Sequence, residues 1–150
     1  MLIIGITGTL GAGKGTVVEY LREKRDFAYF SVRQFLNEEV ARRGMEPGRD
    51  SLTFVANDLR ATHSPSYIVD ELYERAARSG KNAIIESIRA VGEVESLRKK
   101  GNFLLWAVDA DPKTRFERIR LRGSETDHID FETFLSNEKR ELENADPAKQ

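Results

Sequence analysis

One short run constrains this chain more than any other. Gly8-Thr9-Leu10-Gly11-Ala12-Gly13-Lys14-Gly15-Thr16 fits the spacing G-x-x-x-x-G-K. Its glycines let the backbone turn tightly and aim successive N–H groups at one point, and its lysine adds a reaching positive charge. Such a cradle suits phosphate oxygens where a strand delivers the chain and a helix carries it away. The helix N-terminus then supplies further N–H groups and the positive end of its dipole. Both flanks comply. Leu2-Ile3-Ile4-Gly5-Ile6-Thr7 is a near-continuous apolar run, the pattern of a strand buried on both faces, and Thr16 to Glu23 carries Val17, Val18 and Leu21 at helical spacing. A glycine-rich turn with a solvated lysine would require neither flank. Gly15, directly after Lys14, has no hydroxyl. Mg2+ accompanying the phosphates is therefore expected to be held mainly by phosphate oxygens and water, with Thr16 a side-chain candidate.

The rest of the chain alternates strand and helix signals. Phe27 to Phe30 reads as a second strand, and Val32 to about Arg43 as a helix ended by Gly44. Between Ser51 and Ser79 two apolar stripes, Leu52-Val55-Ala56-Leu59 and Ile68-Val69-Leu72-Ala76, predict two helices. Ser64-Pro65 predicts the cap and first residue of the second. Ala83-Ile84-Ile85-Glu86 is a third strand, Val91, Val94 and Leu97 mark a helix stopped near Gly101, and Phe103 to Val108 is a fourth strand. Asp111-Pro112 opens a helix through about Arg122, and Asp130 caps a last one carrying Phe131, Phe134, Leu135 and Leu142. Strands alternating with helices imply βαβ units, a parallel sheet and right-handed crossovers. The polar tail from Asn144 to Gln150 lacks a strand signature. Four strands are thus visible.

Composition narrows the classes of function. The 24 Lys+Arg against 25 Asp+Glu, for a net charge of −1, leave no basic footprint for general nucleic-acid binding. Without cysteine there is no disulfide scaffold, thiolate metal site or Cys nucleophile. No apolar run approaches the roughly 20 residues that cross a bilayer, and the first one lacks a basic leader. The expectation is one cytoplasmic domain over residues 1–150, with no nucleic-acid or membrane partner. His63 and His128 are isolated and read as surface or capping residues. Phe35, Phe54, Tyr67 and Tyr73 would either wall a base pocket or fill the core, and helical spacing favours the core.

Two sets of charged residues belong near the loop. Glu86 ends an Ala-Ile-Ile run, so it emerges at the carboxyl edge of the sheet, where open α/β folds bind ligands. There it can order the water around Mg2+ or position the attacking group. Asp109 ends the fourth strand in the same way, but Asp109-Ala110-Asp111-Pro112 is already explained as a capping turn. Arg115, Arg118 and Arg122 recur at i, i+3 and i+7 and share one side of a helix. Guanidinium forks suit charge on a phosphoryl group in transfer, and a solvated basic face is the alternative.

Gly13-Lys14-Gly15-Thr16 resembles the phosphate loop of adenylate kinase and other nucleoside monophosphate kinases, and Leu2 to Gly8 looks equally like dephospho-coenzyme A kinase. Over nearly its whole length the chain is similar to an archaeal group of adenylate-kinase-related proteins. The strongest matches are residues 2–21, 83–98 and 103–122. The resemblance implies a three-layer α/β/α P-loop NTPase fold with a helical acceptor-binding insert over about 32–79 and a short lid over about 123–140. It also implies a fifth strand, so the expectation is a sheet lacking that strand, with one side of the donor base pocket open and the chain shortened relative to its natural form. The apolar fourth strand should then be covered by a helix, a partner chain or the absent tail. It places ATP on Lys14 and the amides of Gly8 to Thr16. It puts Glu86 at the third strand's end, Arg89 on the acceptor phosphate, and Arg118 and Arg122 at the hinge of the lid, with Arg140 a weaker candidate for closing onto phosphate. These kinases usually carry an Asp after the second strand and an Arg three residues later. Arg33 and Leu36 stand there instead, leaving Arg33 as the substitute acceptor contact.

Three functional classes follow. A GTPase switch needs D-x-x-G and N-K-x-D, and neither string occurs. A motor ATPase usually needs a longer chain. Arginines flanking a compact segment after the fourth strand suit a lid that excludes water from phosphoryl transfer. The expected activity is ATP·Mg2+-dependent transfer to a small nucleoside monophosphate-like acceptor. Dephospho-coenzyme A kinase-like activity or regulatory nucleotide binding are the alternatives.

Overall fold

The computed structural model describes residues 1–122 and 129–142, the last three by backbone alone. The expected lid residues 123–128 with His128, the side chain of Arg140 and the tail from residue 143 lie outside the described residues. The elements run β1 (Ile3–Gly8), α1 (Lys14–Arg25), β2 (Ala28–Ser31), α2 (Val32–Arg42), α3 (Arg49–Thr62), α4 (Tyr67–Ser79), β3 (Ala83–Glu86), α5 (Val91–Lys99), β4 (Phe103–Val108), α6 (Pro112–Arg122) and α7 (Phe131–Leu142).

The strands form one 4-stranded sheet in the order β2-β3-β1-β4, and every pairing is parallel. In register, Ile3 lies beside Ala83 and Phe103, and Ile6 beside Glu86 and Trp106. Alternation along the strands splits the core between the two faces. Ile3, Ala83 and Ile85 pack with Val40, Val55, Leu59, Val69 and Leu72 of the middle helices, and with Leu97 of α5. Ile4, Ile6 and Ile84 pack with Val18 and Leu21 of α1. Gly5 has a packing reason: a Cβ there would meet Ile88 Cδ1 at 2.6 Å and the Phe103 ring at 2.8 Å. Its absence lets the loop after β3 press onto the middle of the sheet.

Caps fix several boundaries. Gln34 N–H donates to Ser31 Oγ at 3.3 Å, starting α2. Asp111 Oδ2 accepts from Lys113 N at 3.1 Å and Thr114 N at 3.3 Å, and Asp130 Oδ1 accepts from Thr133 N at 2.7 Å. The start expected at Ser64-Pro65 needs correction. Tyr67 N–H donates to Ser64 O in a turn, and α4 begins at Tyr67 after Ser66, whose hydroxyl donates to Asp70 Oδ2. Proline fits the turn as well as a helix's first position, and local pattern does not separate the two.

β4 is an edge strand. Phe103 and Leu105 pack on the larger core, whereas Leu104 is 50% and Trp106 39% exposed. The cover expected over this strand is thus partial: α5 packs on the face of Phe103 and Leu105, while the face of Leu104 and Trp106 stays exposed.

Candidate active site

The expected phosphate loop leaves the end of β1 and enters α1. Gly8 sits at φ +145°, and a Cβ there would fall 2.0 Å from Val108 O, so only glycine lets the loop pass the end of β4. α1 starts at Lys14 with no acidic residue in its first turn and no side chain capping its amides. Those N–H groups are therefore available to an anion. Lys14 Nζ donates to Thr9 O at 2.8 Å and Gly8 O at 3.2 Å, folded across the loop. Nothing lies within 4 Å of a Cβ built on Gly15, and Thr16 is exposed in the same turn.

Asp109 fastens the loop from the β4 side. Thr9 Oγ1 donates to its Oδ1 at 2.7 Å, and Ala110 N–H donates to the same oxygen at 2.8 Å. The Thr9 bond first, then the Ala110 amide, holds the Asp109 carboxyl below the usual range. Its capping turn and its contact with the loop are thus one arrangement.

The three α6 arginines separate sharply. Arg115 is 3% exposed. It donates from Nε to Ala110 O at 2.8 Å, from Nη1 to Leu10 O at 3.3 Å and from Nη2 to Glu138 Oε2 of α7 at 3.0 Å. It is a structural tie among the loop, the β4–α6 turn and α7, where Phe116, Phe131 and Phe134 also cluster. Arg118 is exposed and donates from Nη1 to Gly11 O at 3.2 Å. Arg122 is exposed at the end of α6.

Electrostatics show which charges share a space. Burial holds the Lys14 ammonium below its usual value. Arg89, Arg122 and Arg115 push the same way, while Glu86 opposes them. The expected Lys14, Arg89, Arg122 and Glu86 are thus brought together. Arg33 is exposed at the start of α2 and makes no hydrogen bond or ion pair among the described residues.

Two supporting side chains escape the sequence reading. The first is Tyr29, whose hydroxyl donates to Glu86 Oε2. Burial, then the bond to Glu86, pushes its phenol up to about 12. The second is Glu93, which is 1% exposed and accepts through Oε1 from Arg89 N at 3.2 Å and Ala90 N at 2.9 Å. Arg60 Nη2 approaches its other oxygen at 3.9 Å. The turn before α5 includes Ser87 at φ 73°, a left-handed conformation uncommon outside glycine that local contacts must hold. A sequence signal existed for Glu93, since a Glu three residues past a helix cap often reaches back to the backbone. For Tyr29 there was only its strand parity.

A parallel sheet flanked by helices, with a phosphate loop from β1 into α1, defines a three-layer α/β/α P-loop NTPase fold. The AAA domain family model matches residues 4–145. A UPF0200 protein of Methanocaldococcus jannaschii is 33% identical over 145 residues, 95% of this chain and 73% of the relative. One from Hyperthermus butylicus is 31% identical over 142 residues, 94% and 76% respectively. The chain belongs to the AAA domain family and to the UPF0200 proteins. Shikimate kinase from Bacteroides thetaiotaomicron shares the fold with a TM-score of 0.60 at 15% identity, over 95% of this chain and 78% of that one. A gluconokinase from Sinorhizobium meliloti 1021 shares it with a TM-score of 0.56 at 16% identity, over 95% and 75%. These are likenesses of fold. Among the described residues no helix is long and apolar enough to cross a membrane.

Proposed function

We propose that this chain is an ATP-dependent small-molecule kinase that moves the γ-phosphoryl group to a nucleoside monophosphate-like acceptor. The observation that carries this reading is that Arg89, Glu86 and Arg122 all lie within electrostatic reach of Lys14, beside uncapped helix amides. Binding alone needs cations on one side of a nucleotide. Transfer needs them on both sides of the group in flight, with little else for the protein to supply.

In this reading the amides of Gly8 to Thr16 and Lys14 hold the donor's phosphates. Arg89 grips the acceptor's phosphate, with Arg33 as a more distant partner. Arg118 and Arg122 neutralise the equatorial oxygens once the lid over about 123–140 closes, and Arg118 then leaves Gly11 O. Residues 32–79 form the acceptor-binding part of one kinase-like domain. In this reading Mg2+ is held mainly through phosphate oxygens and water. Mg2+ bound with ATP would neutralise charge between the phosphates, and Thr16 and Glu86 are the side chains suited to its water shell.

Glu86 favours a second reading of the acceptor. A phosphate oxygen needs no base, whereas a hydroxyl must lose a proton, and a carboxylate can receive it. That would suit dephospho-coenzyme A. A phosphoryl-transfer screen with ATP·Mg2+ against all nucleoside and deoxynucleoside monophosphates and dephospho-coenzyme A separates the readings. Turnover of none of them, with ATP still bound, would leave a regulatory nucleotide binder.

A further inference from the structure

The sheet places a tyrosine behind the carboxylate at the mouth of the site. Tyr29 lies beside Ile84 in the β2–β3 register, two residues before Glu86. Two residues of strand span about 6.6 Å, close to the reach of a tyrosine side chain laid along the strand. Side chains of equal parity share a face, so Ile84, Glu86 and Tyr29 lie on the α1 side, the side where Lys14 begins the helix. The ring packs against the cluster of Ile4, Ile6, Val18 and Leu21, with the Arg22 guanidinium 5.1 Å from its centroid. Only its hydroxyl reaches the site.

We propose that Tyr29 is a positioning residue for the reaction: its hydroxyl clamps one oxygen of Glu86, so that the other faces Lys14 and the reacting groups as a fixed, ionised acceptor. This rests on the kinase reading and assigns its site a residue from a different strand. The chemistry favours a clamp over plain packing. A half-buried carboxylate within electrostatic reach of Lys14 would otherwise be free to collapse onto that cation. A neutral donor fixes one oxygen without adding charge, and a phenol keeps its proton at neutral pH. Outer partners of this kind typically contribute 10–100-fold when their hydrogen bond orients a reacting or ligating group.

The test uses the full chain as wild type, Tyr29→Phe, Glu86→Gln and the double variant. Phenylalanine retains the ring, so the variant should still fold and unfold in one cooperative thermal transition. Tyr29→Phe should lower kcat by about tenfold while KM for ATP stays within about twofold. In the Glu86→Gln background the same change should cost nothing further, because the oxygen it orients no longer carries charge. A second readout needs no turnover: Mg2+ is titrated against binding of a fluorescent ATP analogue. If the wild type phosphorylates no acceptor, the kinase reading fails and this titration alone decides. The clamp then survives if Tyr29→Phe raises the Mg2+ needed by severalfold and Glu86→Gln abolishes that difference. Equal losses with and without Glu86, or a Tyr29→Phe protein unchanged in every readout that the wild type supports, would overturn the proposal.

Discussion

The two sides of the site are built differently. On the β3 side, Glu86 is held by Tyr29, the backbone at Arg89 is held by buried Glu93, and Ile88 is wedged over Gly5. On the α6 side, only Arg115 is buried, tying α7 to the loop, while Arg118 has one 3.2 Å bond to a loop carbonyl and Arg122 is exposed. The first is a prebuilt seat. The second is one buried tie beside two exposed charges.

Lys14 stands between the two sides, so its loss should have the largest effect. Lys14→Ala should cost about 10²–10³ in transfer rate. The thermal transition should persist, because the side chain's partners are loop carbonyls that water can satisfy. A lost transition would mean that the lysine braces the fold rather than the ligand.

Glu93→Ala tests whether the β3 side is truly prebuilt. Removing one member of the buried Arg60–Glu93 pair, together with two backbone acceptor contacts, should cost about 3 kcal/mol, seen as a fall of roughly 6–12 °C in Tm. A Tm close to wild type would make the β3 side no firmer than the α6 side.

Arg118→Ala and Arg122→Ala sharpen the other half. Each should lower kcat by about a hundredfold with little change in ATP affinity or Tm. Equal losses in affinity at constant kcat would move them from charge in flight to donor binding.

The smallest expected effect is alkaline. The Tyr29 phenol is raised in the folded chain from 10.0 to about 12. Its contribution to stability is therefore fully present below pH 10 and is lost as pH rises through about 12. Urea midpoints should fall through that window in the wild type, and Tyr29→Phe should flatten this part of the decline. An unchanged slope would mean that neither burial nor the Glu86 bond raises the phenol in the folded chain.

Sequence reading reached these two sides unequally. β1, the loop and α1 were legible because glycine and lysine at fixed offsets serve one local geometry. Glu86 was legible because an apolar strand ending on a carboxylate points to a sheet edge. Tyr29 was hidden, since its partner depends on β2 lying beside β3 and on register, which no local pattern states. The spacing of Arg115, Arg118 and Arg122 told which side of a helix they share but not that Arg115 turns inward onto Leu10 O and Glu138. α1 also begins at Lys14, earlier than its apolar stripe suggested, because a glycine-rich entry has little helical propensity of its own.

The exposed face of β4 has an optical consequence. The chain has one tryptophan, and it is Trp106, in register with Ile6 and two residues before Val108, whose carbonyl abuts Gly8. Indole emission moves to shorter wavelength as water leaves the ring, and here no second indole blurs the signal. A blue shift that grows with protein concentration would report another molecule laid along β4. A change that follows added nucleotide at fixed concentration would instead report the loop pulling on the strand behind it. The molecule thus carries a native fluorophore one short step from its own phosphate cradle.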